Sequence, residues 1–265
     1  MRTKSLFIAV VSTAVLLLSG CGGATPAPQQ TTLQRVMEKG TLVLGTSGTM
    51  TPMTRAVNGG KDVVGFDVDV AQLMADSMKV TLVKKVIPFD KLLDALENGE
   101  VDIVISNMTI TPERNLKASF VGPYLTSGKC VITKKPDLAT LKDAKAMNSS
   151  ANKLAVLKGS TSETFATMLM PDVERIVVNS QKEGVRLVKD NEVGAMLTDF
   201  PICASVIKSN PDSGFVSVFS KLTFEPIGIA VNANDAHMIN WTQNFLMRAD
   251  QAGALKILAQ KWMGR

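Results

Sequence analysis

The sequence predicts an α/β fold, and three observations carry that expectation. Short β-rich runs alternate with amphipathic helical stretches through most of the chain after Leu33. Several of the helical stretches end on a glycine, as at Gly40 and Gly99. The composition, 45% hydrophobic and 20% charged, is that of a soluble globular domain.

The first residues are expected to be an address and not part of the fold. Arg2 and Lys4 give a positive start, and Leu6 to Leu18 an apolar stretch. That stretch is shorter than the roughly 20 apolar residues a bilayer core requires. It leads into Leu18-Ser19-Gly20-Cys21, which matches the bacterial lipoprotein processing box, with Cys21 as the thiol that takes the lipid. Residues 1–20 are therefore read as a lipoprotein signal peptide. Residues 21–32, rich in Gly, Pro and Gln, are read as a flexible tether. An anchor of two or more acyl chains holds a protein stably at a membrane surface.

The elements then follow in order. Leu33 to Lys39 reads as a helix and Thr41 to Gly45 as a strand. Val64 to Phe66 is a short strand, Asp67 to Met78 a helix with an apolar stripe, and Thr81 to Val86 a strand. Phe89 to Asn98 is a helix and Asp102 to Ile105 a buried strand. Thr111-Pro112 opens a further helix, with threonine as cap and proline at the first helical position. After Tyr124 come strands at Lys129 to Lys134, Lys153 to Leu157, Arg175 to Val178, Ala195 to Thr198 and Ile227 to Val231. Helices are expected at Ser162 to Met170, up to Asn191, at Phe200 to Ser209, and from Ala236 to Met263 with a break near Gly253.

Composition also excludes functions. The net charge of +5 falls to +3 once Arg2 and Lys4 are set aside, and no cluster of Lys and Arg interleaved with aromatics points to nucleic acid. His237 is the only histidine, so neither a histidine-based triad nor a multi-histidine metal site can be built. No metal or cofactor is expected. Besides Cys21 there are only Cys130 and Cys203; export permits a disulfide, but spacing alone leaves two separate buried thiols equally open.

Six short motifs in order resemble the family 3 solute-binding proteins of ABC transporters, in the polar amino-acid group. They are Gly65-Phe66-Asp67-Val68-Asp69, then Phe89-Asp90-Lys91-Leu92-Leu93-Asp94-Ala95-Leu96, then Gly99-Glu100-Val101-Asp102. Asn107-Met108-Thr109-Ile110-Thr111-Pro112-Glu113-Arg114, Gly159-Ser160-Thr161-Ser162-Glu163 and Leu197-Thr198-Asp199 complete the series. The resemblance implies a periplasmic-binding-protein-like fold of type II, with two α/β lobes joined by two hinge strands. Lobe one is expected over 33–127 and 226–265, lobe two over 128–225, with hinges near Tyr124 to Cys130 and Leu222 to Ile227.

The resemblance also assigns the ligand site. Arg114 of the Thr-x-x-Arg segment would clamp the ligand's α-carboxylate, a task suited to a permanently charged, forked guanidinium. Asp199 would meet the α-ammonium from the other lobe. Thr109, able to donate to the carboxylate or accept from the ammonium, would stand beside the backbone of Asn107 and Met108. Asn107 departs from the small residue usual at that place. Gly159-Ser160-Thr161-Ser162, joining a strand to a helix in the second lobe, would form a second carboxylate cradle, with Ser160 and Thr161 as ligand contacts. Phe89 would be the aromatic wall. Ser47 and Met50 stand where an acidic residue and an aromatic are often found, which removes the charge partner of a basic ligand side chain. A neutral side chain lined by Met50, Phe89 and Leu157 is expected. The implied partners are an amino acid, separate permease and ATPase subunits, and a membrane reached through Cys21; the protein itself would be a monomer at the cell surface or in the periplasm. Catalysis is not expected. Two alternatives stand beside this expectation: a dehydratase on the same scaffold, for which the one candidate for a spare acid is Glu163, and a ligand-presenting sensor with the same binding residues.

Overall fold

The computed structural model describes residues 30–219 and 222–264. The leader and Cys21 lie outside the described residues. Helix α1 (Thr32–Lys39) is capped at its start by Thr31, whose hydroxyl accepts the Gln34 N–H while the Gln34 side chain accepts the Thr31 N–H. Gly40, left-handed at φ 64°, ends it. The Thr32 N–H donates to Asp235, which also caps a C-terminal helix at Met238, so α1 is tied to residues two hundred positions away.

The strands, in chain order, are β1 (Thr41–Thr46), β2 (Thr49–Met50), β3 (Thr54–Val57), β4 (Asp62–Val64), β5 (Thr81–Val86), β6 (Ile103–Val104) and β7 (Ala118–Ser127). They continue with β8 (Lys129–Thr133), β9 (Lys153–Leu157), β10 (Glu174–Val178), β11 (Ala195–Asp199), β12 (Val216–Val218) and β13 (Glu225–Asn232). The helices after α1 are α2 (Phe66–Met78), α3 (Leu92–Glu97), α4 (Pro112–Asn115), α5 (Pro136–Ala139) and α6 (Thr161–Leu169). They end with α7 (Gln181–Lys189), α8 (Phe200–Ser209), α9 (Ala236–Gln251) and α10 (Ala254–Met263), the last two divided at Gly253.

These elements form two α/β lobes, each around a five-stranded sheet. The first sheet runs β5-β1-β6-β13-β7, parallel through β6 and antiparallel beyond it. The second runs β10-β9-β11-β8-β12, with β8 antiparallel to both neighbours. The chain leaves the first sheet at the end of β7 and returns in β13, and these two strands pair from Glu225↔Ser127 to Asn232↔Ala118. Central strands are buried on both faces, as in β8 and β11, whose residues are all buried, while the edge strand β5 is largely exposed. Leu42 and Leu44 of β1 pack with Val70, Ala71 and Met74 of α2. In β8, Val131 faces one core while Cys130 and Ile132 face another. Cys130 and Cys203 form a disulfide, Cα atoms 6.6 Å apart, which fastens β8 to α8. No helix among the described residues is long and apolar enough to cross a membrane.

The structure corrects several expected elements. The strand expected at Val64 to Phe66 ends at Val64, and Phe66 is the first residue of α2. Gly65 between them has φ 149°, and a Cβ there would fall 2.1 Å from the Met53 carbonyl oxygen, so the turn admits only glycine. The helix expected from Phe89 begins as a 3₁₀ turn at Phe89–Lys91. The loop after β1 contains a hairpin, β2 and β3, joined by β4 into a small separate sheet. The ten-residue strand β7 ends in the hinge expected near Tyr124, but its first residues have no counterpart among the expected elements: Gly122-Pro123 stands within it, and its burial does not alternate.

Candidate ligand-binding site

The site is built from the loops beyond the carboxyl ends of β6, β9 and β11, where ligands of open α/β sheets bind. After β6 the chain turns through Asn107, a non-glycine residue at φ 48°. Asp67, in the first turn of α2, holds this turn: its Oδ2 accepts the Asn107 N–H at 2.7 Å, and its Oδ1 accepts the Tyr124 hydroxyl of β7 at 2.8 Å. Burial pushes the Asp67 carboxyl up to about 7, against the opposing pull of those two hydrogen bonds. Burial and the neighbouring carboxyl raise the Tyr124 hydroxyl well above its ordinary value.

Thr111 then caps α4, accepting the Arg114 N–H at 3.2 Å. The Arg114 side chain folds back, with Nη1 donating to the Thr109 carbonyl at 2.7 Å. Its Nη2 reaches the Gly159 carbonyl of the other lobe at 3.1 Å, and the guanidinium lies 5.5 Å from the centre of the Phe89 ring. Burial lowers Arg114 to about 10 despite Asp199, Glu225 and Glu113, which leaves it a cation at neutral pH.

On the second lobe, β9 leads through Gly159 to Ser160, which caps α6 by accepting the Glu163 N–H at 3.2 Å. Glu163 answers by accepting the Gly159 N–H at 2.6 Å, so the carboxylate considered as a spare acid is occupied in a cap. Asp199 ends β11. Its Oδ1 accepts from Lys129 Nζ at 2.6 Å and its Oδ2 from Asn107 Nδ2 at 2.7 Å, the latter across the two lobes. Lys129 is 1% exposed and also stands 3.6 Å from Glu225. Glu225 in turn accepts from Thr109 at 2.7 Å, Thr161 at 3.1 Å and Thr223 at 2.6 Å. An ion pair also joins the lobes, from Lys158 to Asp90 at 3.1 Å.

Met50, Phe89, Asn107, Thr109, Arg114, Leu157, Ser160, Thr161 and Asp199 therefore surround one cleft, together with Ser162 and Gln181. The free space among them is about 10 Å³, room for roughly one water. The lobes are thus seen pressed together. Ser47 and Met108, expected at the site, are not among its walls. The Ser47 N–H and hydroxyl both bond Ser106 Oγ, at 3.0 and 3.1 Å, which turns the side chain inward. Met108 is 2% exposed in the core and gives its carbonyl to the Gly228 N–H at 3.0 Å. Sequence reasoning places Ser162 within the Gly159-Ser160-Thr161-Ser162 cradle but misses Gln181, Lys129 and Glu225. No local signal points to Lys129 or Glu225, whose contacts span 70 and 116 positions.

Residues 42–265 match the sequence model of the bacterial extracellular solute-binding proteins, family 3. The chain belongs to that family. Among its relatives, the L-cystine-binding protein TcyJ of Escherichia coli K12 is 28% identical over 88% of this chain and 86% of its own length. A cyclohexadienyl dehydratase of Pseudomonas aeruginosa is 26% identical over 94% of this chain and 92% of its own. Among solved structures, an ancestral amino acid-binding protein described as a precursor of cyclohexadienyl dehydratase superposes with a TM-score of 0.82 at 32% identity, covering 88% of this chain and 100% of that one. The family 3 relatives are thus mainly amino-acid-binding proteins of ABC transporters, with an enzyme at similar distance.

Proposed function

We propose that this family 3 protein captures an α-amino acid with a neutral side chain between its lobes and delivers it to an ABC importer. The observation that carries the reading is a cleft with opposite charges on opposite lobes: Arg114 beyond β6 and Asp199 at the end of β11. A zwitterion carries the complementary pair, and a ligand that touches both lobes favours the closed arrangement over the open one. Among the described residues that line the cleft, Asp199 is the sole carboxylate, so a cationic ligand side chain would have no anion of its own. Met50, Phe89 and Leu157 offer it an apolar wall instead. The permease and ATPase would be separate chains, and the protein would act as a monomer. Leu18-Ser19-Gly20-Cys21 supports a lipid anchor at Cys21 on the outer side of a membrane.

The relation to a cyclohexadienyl dehydratase supports a second reading, turnover of a prephenate-like or arogenate-like acid. The commitment of Glu163 to a helix cap weighs against it. A thermal-shift screen of the mature chain against the twenty amino acids, prephenate and arogenate separates the two. Binding to the folded state raises the melting temperature by an amount set by concentration over Kd. Neutral amino acids are expected to raise it, and Arg114→Ala to abolish the rise. A flat response to amino acids with consumption of prephenate or arogenate would replace this reading with the enzymatic one.

A further inference from the structure

We infer that Glu225, which does not itself line the cleft, sets the hydrogen-bond polarity of the cleft wall and so makes it a receptor for an ammonium group. The inference deepens the amino-acid reading and rests on it. Glu225 opens β13, is buried, and places one oxygen, Oε2, within 2.7 Å of Thr109 Oγ1 and 3.1 Å of Thr161 Oγ1. A carboxylate only accepts, and each hydroxyl has one proton to give. Both threonine protons are therefore spent on the same oxygen. The two threonine oxygens, 3.4 Å apart, are left with lone pairs alone to offer a ligand.

The arrangement requires Glu225 to stay ionised. Burial works against this, but Lys129 and the hydroxyls of Thr223, Thr109 and Thr161 outweigh it and hold the carboxyl below its ordinary range. Asn107 adds to the same wall. Its Nδ2 donates to Asp199, which fixes the orientation of the amide, and its Oδ1 is buried with no hydrogen-bond partner among the described residues. Asp199, the Asn107 amide oxygen and two threonine oxygens thus make one acceptor-rich side. An ammonium supplies three N–H donors to such a wall, whereas a carboxylate would meet lone pairs. The ligand carboxylate then falls to Arg114 and to the amides of Thr161 and Ser162, first-turn groups that no intrahelical carbonyl reaches. Glu225 is a positioning residue: it touches the threonines and not the ligand.

Glu225→Gln keeps the shape but removes the charge and leaves one acceptor oxygen for the hydroxyls of Thr109, Thr161 and Thr223, so the threonine protons are held less firmly and can turn toward the cleft. The test is calorimetric titration of the whole mature chain, wild type and Glu225→Gln. The probes are the twenty L-amino acids, each paired with the carboxylic acid in which hydrogen replaces the ammonium, such as propanoate for L-alanine. In wild type the amino acid is expected to bind more tightly than its partner in each binding pair. In Glu225→Gln that preference should shrink by about tenfold or more, through weaker amino acids and unchanged or tighter carboxylic acids. Equal weakening of both members, the result of a merely structural role, or an unchanged ratio would overturn the inference. Should Glu225→Gln not fold, Thr161→Val carries the test: amino acids should weaken while their partners hold, and equal weakening again overturns it. If no pair binds folded, ligand-free wild type, the amino-acid reading itself fails and the inference with it.

Discussion

Replacing Asp67 with asparagine should change how stability depends on pH, in a direction the structure dictates. The carboxyl is fully buried and its pKa stands at about 7 in the folded chain, against 3.8 as the ordinary value. Below pH 3.8 the group is protonated in both states and contributes no pH dependence. As pH rises toward 7 the unfolded chain gives up the proton while the folded chain keeps it, so the folded state binds more protons and stability falls. Above that window both states are ionised and the loss is complete. A shift of about three units corresponds to a loss on the order of 4 kcal/mol. The substituted asparagine has no charge to gain: its amide oxygen can accept the Asn107 N–H while its amide nitrogen donates to the Tyr124 oxygen. Urea unfolding of wild type and Asp67→Asn at about pH 4 and about pH 8 measures the difference. The stability of wild type relative to the variant should decline by several kcal/mol between the two, as an order of magnitude. A difference that stays flat to within about 1 kcal/mol would refute the argument, since it would mean that Tyr124 and Asn107 compensate the buried charge in full.

Other consequences can be measured on the same protein. Lys129→Met should cost about 3–5 kcal/mol in urea unfolding, because it leaves the buried Asp199 and Glu225 carboxylates without their cation; a loss below about 1 kcal/mol would show that they do not depend on it. Reducing Cys130–Cys203 should lower stability by about 4 kcal/mol on the loop-entropy estimate for a separation of 73 residues; unchanged unfolding under a reductant would contradict this. Gly65→Ala should displace the start of α2 and lower the melting temperature sharply, because its Cβ meets the Met53 carbonyl; a melt like that of wild type would show that the turn can relax.

Where structure follows from neighbouring residues, the sequence was legible. The Thr111-Pro112 start, the stop at Gly40 and the break at Gly253 depend on caps and backbone preference within one turn, and they stand where the residues put them. Strands such as β5 and β9 showed as compact apolar or β-branched runs. Strand β7 did not, because its regularity comes from pairing with β13, more than a hundred residues later, and not from an alternating pattern of its own. The site divided in the same way. Arg114, Thr161 and Asp199 sit next to local signals, a cap or a strand end. Lys129 joins Asp199 over 70 positions, and Glu225 joins Thr109 over 116, so no local pattern records either contact. The direction of Ser47 was equally hidden, since Ser106 on another loop decides it.

A crystal structure of the mature chain with the neutral amino acid that most raises its melting temperature would test the central claim most directly. The ligand should lie between the lobes, its carboxylate on the Arg114 guanidinium and its ammonium against Asp199 and the oxygens of Thr109 and Thr161. A ligand bound outside this cleft, or one inside it with the carboxylate against Asp199 and the threonines, would contradict the account.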